Sequence, residues 1–441
     1  MATSAEPSVP YATTVFTGPL HQVESYLLDN QSVIESWFRN QWRLTQAPFY
    51  ASVDIRNAGF KIAPVDTNLF PAGFNNLNPA FESLCIQAVQ LAVERAQGNT
   101  DRILIIPENH TRNRFYLESL ATLRQIMEKA GFETRLGSLL PDLHEPLVVE
   151  LDSGRPICLE PLLREGDRVR VADFVPDLIV LNNDLSAGRP VILENLAQTV
   201  TPGLGMGWSS RLKSVHFTQY QQVAQEFAQL IGMDPWLIDP MFRNCGEVDF
   251  LKREGSECLS INIEALLKAI QKKYDEYQVT SKPFVMVKAD AGTYGMSVMT
   301  VHSPDEVTEL NRKQRTRMAT TKEGKKVTKV IIQEGVYTHE TWGEQDMVAE
   351  PVIYMIDHHV VGGFYRVHAK RATNENLNAP GMHFERLAFA DCCISPEKEL
   401  PPAAHPNRFY IYGVIARLAL LAAAREMVST GQLFNRLSDI T

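Results

Sequence analysis

The stretch KADAGTYGMSVMTV, Lys288 to Val301, decides how the chain is read. It holds a lysine, glycines and a serine, as phosphate-binding loops do. A Walker loop, however, places its lysine after the glycines and runs into a helix whose N-terminus holds the phosphates. Here the lysine comes first, and Ser297-Val298-Met299-Thr300-Val301 alternates and is β-branched, which predicts a strand. A strand–loop–strand hairpin can instead fold over a nucleotide as a lid. Gly292 and Gly295 let the backbone approach phosphate oxygens, while Lys288 and main-chain N–H groups supply the positive counterpart. The plainer alternative is an ordinary glycine-rich hairpin turn.

The surrounding residues favour the nucleotide. IIQEGVY, Ile331–Tyr337, ends a strand in an acidic residue and a small-residue turn. Its exposed main chain at Gln333–Val336 suits an adenine edge, and Glu334 suits a ribose hydroxyl. A second hairpin turns at Asp357-His358-His359 and ends in Arg366, and RATNENLNAPG, Arg371–Gly381, follows. In this order the segments resemble the ATP-grasp superfamily, in particular glutathione synthetase and related carboxylate–amine ligases. The resemblance covers roughly residues 245–385. It implies that Lys288, Gly292, Gly295, Gln333, Glu334, Val336 and Asn376 bind ATP. Lys252, on an expected short strand Val248–Lys252, corresponds to the second phosphate lysine or is simply solvated.

ATP chemistry also needs hard oxygen ligands for Mg²⁺. ATP-grasp enzymes usually carry them on a late acidic strand and an ExN motif, which is missing after Gly381. KIAPVDTNLFPAGFNN, Lys61–Asn76, supplies a substitute at the front of the chain. Period-2 geometry points Asp66 and Asn68 to one face, and Asp54 on the preceding strand-like piece is a third candidate ligand. This looks like the ExN motif with Asp replacing Glu. It implies a circular permutation that brings the metal-binding strand to the N-terminal end, as in eukaryotic glutathione synthetase. The alternative is that Asp66 and Asn68 cap a turn.

Between 80 and 200 the pattern alternates: helix Phe81–Gln97, strand Arg102–Pro107, helix Arg114–Gly131, strands Phe132–Leu136 and Pro176–Asn182. That predicts a partly parallel sheet covered by helices, and no GxGxxG offers a dinucleotide site. Helices are expected at Lys213–Ile231 and Ser260–Tyr277, and basic Lys313–Lys326 reads as an exposed connection. The pattern makes the fold class α/β (α+β), and the resemblance implies an ATP-grasp fold of glutathione synthetase-like type. Three parts follow: residues 1–80 feeding strands to the core, an α/β substrate-binding domain over 81–210, and an ATP-grasp domain over 211–441. The last has its lid at about 245–335 and ends in an apolar helix.

The chain has 441 residues, 44% hydrophobic and 22% charged, and a net charge of -9. The acidic balance argues against nucleic-acid binding. Six cysteines without a CxxC pair do not form a disulfide framework. Ile411–Ala424 carries Arg417 and is too short to span a bilayer, and no signal peptide is evident. A cytoplasmic protein with reduced thiols is expected, not membrane-bound, and a homo-oligomer stays open. His358-His359 lack further ligand spacing, so no zinc site is expected there.

With SVDIRNAGFKIAPVDTNLFPAGFNN at its front and KPFVMVKADAGTYGMSVM in the last third, the whole chain resembles the glutamate–cysteine ligase family of some proteobacteria. The resemblance implies ATP-dependent joining of L-glutamate and L-cysteine through γ-glutamyl phosphate, with ATP and Mg²⁺ as cofactors, as the first step of glutathione synthesis. Lys288 and Arg366 are the implied catalytic residues, Arg366 also anchoring a substrate carboxylate. The family's second hairpin arginine is replaced by Glu350-Pro351, so Arg56, Arg112, Arg211 and Lys213 are further candidate anchors. Glutathione synthetase, another carboxylate–amine ligase, and a non-catalytic nucleotide-binding regulator remain alternatives.

Overall fold

The computed structural model describes residues 13–14, 26–110, 112–292, 297–320, 326–387 and 408–431. Three sheets organise them. The first takes its strands from residues 102–201. Arg102–Pro107, Glu133–Ser138, Leu178–Asn182 and Thr199–Thr201 run parallel, and Pro156–Glu165 continues the parallel run beside Glu133–Ser138. Helices Glu82–Ala96 and Arg114–Lys129 bury their apolar sides in one core with Ile103, Ile105, Leu178 and Val180. RILIIP is apolar and buried after Arg102 because both faces of this sheet are covered. Leu147–Glu150 and Arg168–Val171 add antiparallel edges that the alternation in the sequence did not reveal.

A four-stranded antiparallel sheet runs Phe242–Glu247, Lys329–Glu334, Val285–Ala289, Val298–Val301. Lys288 pairs with Val298, so the glycine segment does join two antiparallel strands. Helix Ser256–Glu276 packs on it through Leu259, Ile263, Leu266 and Ile270. The third sheet unites the two ends of the chain. Tyr50–Asn57 pairs with Ile62–Asn68 on one side and with Met347–Ile356 on the other, and His359–His368 and His383–Arg386 follow. Helix Arg408–Ser429, apolar over most of its surface, lies against Ile62–Asn68 and against helix Lys213–Ile231. Among the described residues no helix is long and apolar enough to cross a membrane.

Two local expectations change. Arg312–Ala319 is a helix, because Asn311 and Gln314 form a reciprocal capping box and Met318 and Ala319 are buried. Residues 249–255 form a turn instead of continuing the strand, with Asp249 accepting from the Leu251 and Lys252 amides.

Candidate active site

Strand periodicity builds one wall of an open cleft of about 750 Å³. Met286 and Lys288 share a face of Val285–Ala289, and the register sets Gln333 and Val298 on that face from the neighbouring strands. The Lys288 ammonium donates to Gln333 Oε1 at 2.6 Å and to the Val65 carbonyl at 2.9 Å. Burial brings its pKa down to about 8, with Lys213 and Arg56 adding to the fall and Asp66 and Asp54 opposing it.

Lys213 opens the helix Lys213–Ile231. Its ammonium donates to the Gly292 carbonyl at 2.6 Å and stands 3.9 Å from the centre of the Trp208 ring. Burial lowers its pKa too. Gly292 has φ +121°, a conformation that glycine adopts without strain. Asp290 fixes this corner: its carboxylate accepts from the Ser214 amide at 2.8 Å and the Ser214 hydroxyl at 2.7 Å, at the start of the helix.

The opposite wall is acidic. Asp54 and Asp66 face each other across the antiparallel pair, and both line the cleft. Asp54 accepts from Arg366 at 2.8 Å. The same arginine binds Glu350, which also accepts from Arg56 at 3.0 Å. Burial raises the Asp54 pKa, helped by Glu350 and Asp66 and opposed by Arg366. Burial pushes Glu350 up as well, but the two arginines outweigh it and hold the carboxyl low. Burial works against the Arg366 charge and is overcome by Asp54 and Glu350. Among the described residues its Nε has no hydrogen-bond partner. Asp66 accepts from its neighbour's amide, Thr67, at 3.1 Å. Three carboxylates in one partly buried cleft, one of them with a raised pKa, fit a hard divalent cation, which stabilises clustered oxygens in their charged form.

Val336 and Asn376 also line the cleft, as does Asn378. Gln333 Nε2 is buried without a partner among the described residues. Gly335 is required at the turn, because a Cβ there would meet the Phe284 ring at 2.1 Å. Glu334, expected to take a ribose hydroxyl, lines the cleft too, but its carboxylate is already engaged by protein donors. Its carboxylate accepts from Lys61 at 2.7 Å, Trp236 Nε1 at 3.1 Å and the Met241 amide at 3.0 Å. Gln333 and Glu334 both border the cleft, and what distinguishes them is that the Glu334 carboxylate has its acceptors filled while Gln333 keeps a free donor among the described residues.

Other expected residues are placed elsewhere. The Asn68 amide binds the Phe70 backbone through both its atoms, at 3.0 and 3.1 Å, as a turn cap does. Arg211 is buried and spends its guanidinium on Glu426, through two bonds of 2.9 Å, and on the Thr67 carbonyl at 2.6 Å. Arg56 lines the cleft, but its donors go to Glu350, the Val336 carbonyl and the Glu375 carbonyl. Lys252 is exposed in its turn, 3.9 Å from Glu254. Arg112 is exposed before helix Arg114–Lys129 and does not line the cleft. Gly295 lies outside the described residues, as do Cys392 and Cys393. The described cysteines, Cys85, Cys158, Cys245 and Cys258, are free thiols. Glu350 was missed as a site residue, although a lone acid inside the apolar run MVAEPVIYMI signals a paired buried charge.

Comparison with known proteins yields one family model, GshA: Glutamate-cysteine ligase, matching residues 24–427. Among solved structures, a crystal structure from Methylobacillus flagellatus KT, of a protein provisionally named a gamma-glutamylcysteine synthetase, is 57% identical with a TM-score of 0.89. The alignment covers 96% of this chain and 99% of that one. A glutathione synthetase-like effector from Globodera pallida aligns at 10% identity and a TM-score of 0.35, over 79% of this chain and 77% of that one. No curated protein matches.

Proposed function

The chain belongs to the glutamate-cysteine ligase family, GshA, and is an ATP-dependent ligase that joins glutamate to cysteine; we propose that it does so through γ-glutamyl phosphate, in a permuted ATP-grasp site assembled from both ends of the chain. The observation that carries this reading is the 2.9 Å contact of Lys288 with the Val65 carbonyl. It sets the lysine of the glycine hairpin directly beside the strand that bears Asp66. A nucleotide lying along Met286, Val298 and Gln333 has its phosphates between Lys288, Lys213 and the acidic wall. The Gln333–Val336 main chain takes the adenine edge, and Asn376 closes the far side.

In the first half-reaction a γ-carboxylate oxygen of glutamate attacks the γ-phosphorus of ATP and ADP departs. Charge grows on the transferred phosphoryl oxygens and on the leaving β-phosphate. Lys288 and Lys213 offer ammonium groups there that are already desolvated, so little reorganisation is needed. In the second half-reaction the cysteine amine attacks the acyl carbon, phosphate leaves and the amine loses a proton. No enzyme nucleophile is involved, and positioning carries much of the acceleration. Asp54, Asp66 and Glu350 are the groups that would hold Mg²⁺, and Asn68, whose Oδ1 accepts from the Phe70 amide, is a further candidate on the same strand as Asp66. Held by them, a divalent cation would screen the phosphates and orient the leaving group. Arg366 holds Asp54 and Glu350 in register and directs its remaining Nε toward a substrate carboxylate.

This reading makes residues 81–210 the substrate-side domain and puts the enzyme in the cytoplasm. ATP turnover with glutamate plus cysteine, set against γ-glutamylcysteine plus glycine, tests it. Phosphate release is expected with the first pair. Release only with the second would make the protein a glutathione synthetase, and release with neither would leave a nucleotide-binding regulator.

A further inference from the structure

A second cavity lies at the turn end of the hairpin that carries Glu350 and Arg366. Glu350 is six residues from Ile356, the last residue of its strand, about 20 Å at the rise of an extended chain. The cavity is therefore separate from the nucleotide cleft. It spans about 1040 Å³, open solvent included, between helix Gln31–Leu44, the turn at His358 and His359, and the start of helix Arg408–Ser429.

Its chemistry is one-sided. Arg39, Arg43, Arg95 and Arg417 all line it. Arg417 is neutralised by Glu35, at 2.7 and 2.8 Å, and Arg95 by Asp357, at 3.2 Å. Glu35 also accepts from Tyr410. Among the described residues no carboxylate pairs with Arg39 or Arg43, which leaves two positive charges in excess in a chain of net charge -9.

The hydrogen-bond accounting points the same way. Trp42 Nε1, which can only donate, is buried with no partner among the described residues, and His359 Nε2 is likewise unpartnered, whereas His358 Nδ1 lies 2.9 Å from Asp357 Oδ2. A buried donor without an acceptor is costly. Phe38, Val360 and the stacked rings of Trp42 and His358 supply apolar wall beside these donors.

Asp357, His358 and His359 bring three potential metal-ligand atoms within 4.8 Å of one another. Four guanidinium groups around the same cavity oppose a dication there, and Asp357 Oδ2 is already shared by Arg95 at 3.2 Å and His358 Nδ1 at 2.9 Å. Arginine-lined, donor-rich walls instead complement an acceptor of negative charge. We propose that this cavity binds a small organic anion, a carboxylate or phosphate on an apolar body, with Arg39 and Arg43 as the charged contacts and Trp42 as a neutral donor.

The test is calorimetric titration of the full-length enzyme, its nucleotide site filled with a non-hydrolysable ATP analogue, using phenyl phosphate and phenylsuccinate as probes. Saturable binding of at least one is expected, and the tighter probe identifies the acid class. The Arg39→Gln/Arg43→Gln variant, changed only at exposed side chains, should bind at least tenfold more weakly while keeping wild-type ligase activity and melting temperature. Lys288→Ala should bind the probe as wild type does. The proposal fails if neither probe saturates, or if the arginine variant binds as tightly as wild type. It fails equally if the cavity takes up one equivalent of Zn²⁺ that His358→Ala/His359→Ala loses, since that marks a cation site.

Discussion

The Lys288 ammonium donates a 2.9 Å hydrogen bond to the carbonyl of Val65, a residue 223 positions earlier in the chain. One residue beyond that carbonyl stands Asp66. The contact joins two sheets, the four-stranded one that carries the glycine hairpin and the one that unites the ends of the chain. A cation and a carboxylate thereby reach one cleft although neither lies near the other in sequence.

Removing that ammonium should cost rate more than structure. Lys288→Ala leaves Gln333 Oε1 and the Val65 carbonyl without a donor, but in a cleft that water can enter. A preorganised charged donor to the transition state is worth about 10²–10³ in kcat. We expect a loss of that size with ATP and both amino acids saturating. Lys288→Arg should recover part of it, and far-UV circular dichroism should be unchanged. Wild-type turnover in Lys288→Ala would remove the lysine from the chemistry.

The lowered pKa of the same lysine predicts a proton linkage. In the folded enzyme Lys288 titrates near pH 8, against 10.5 for an ordinary lysine. Between these values the unfolded chain binds more protons than the folded one, so this group's contribution to stability improves as pH rises through that window. ATP reverses the balance, because a polyanion favours the charged ammonium. At pH 8.5–9, ATP binding should take up a proton, seen as a dependence of binding enthalpy on buffer ionisation, and affinity should fall with rising pH. Lys288→Met should abolish the Lys288 share of this uptake. Proton release on binding would contradict the assignment.

Stability rests elsewhere, on Glu426. Burial pushes this carboxyl up, but Arg211 and His216 outweigh it and bring its pKa to about 2, below the ordinary 4.5. Its contribution is therefore complete above about pH 4.5 and is lost as pH falls toward 2. Glu426→Gln leaves the Arg211 charge buried and half-paired, a change that costs about 3–5 kcal/mol in comparable sites. Urea unfolding at pH 7 should show that loss, and the difference from wild type should shrink with acid. Arg211 also holds the Thr67 carbonyl, so the variant should show an increased Mg²⁺ requirement as well.

The strands and helices that carry the site were legible where local pattern decides them. Lys213–Ile231 and Arg102–Pro107 have the bounds that periodicity predicts. Lys288, Asp66 and Asp54 reach the cleft because alternation fixes which side chains share a face. Partners were not legible. Arg211 and Arg56 read as free cations, because nothing nearby in sequence announces Glu426, 215 residues on, or Glu350, 294 residues on. Glu334 looked like a ligand acceptor until Lys61, 273 residues away, filled its oxygens. The capping box at Asn311 and Gln314 was a local signal, obscured by the basic residues around it.

The carboxylates of the acidic wall differ in their other duties, so substitutions there separate the proposed metal role from architecture. Asp66 hydrogen-bonds its own neighbour's amide, whereas Asp54 also neutralises Arg366. Asp66→Asn keeps the shape and removes one charge from the oxygen set that a hard cation prefers. It should raise the Mg²⁺ concentration for half-maximal activity by about tenfold or more, a typical cost of disturbing a metal site, with the urea midpoint unchanged. Asp54→Asn should weaken Mg²⁺ as well and also lower stability, since Arg366 is left buried with Glu350 alone. Equal Mg²⁺ activation curves for Asp66→Asn and wild type would mean that the Asp66 carboxylate holds no metal. The proposed permutation would then lose its chemical reason for bringing this strand to the cleft.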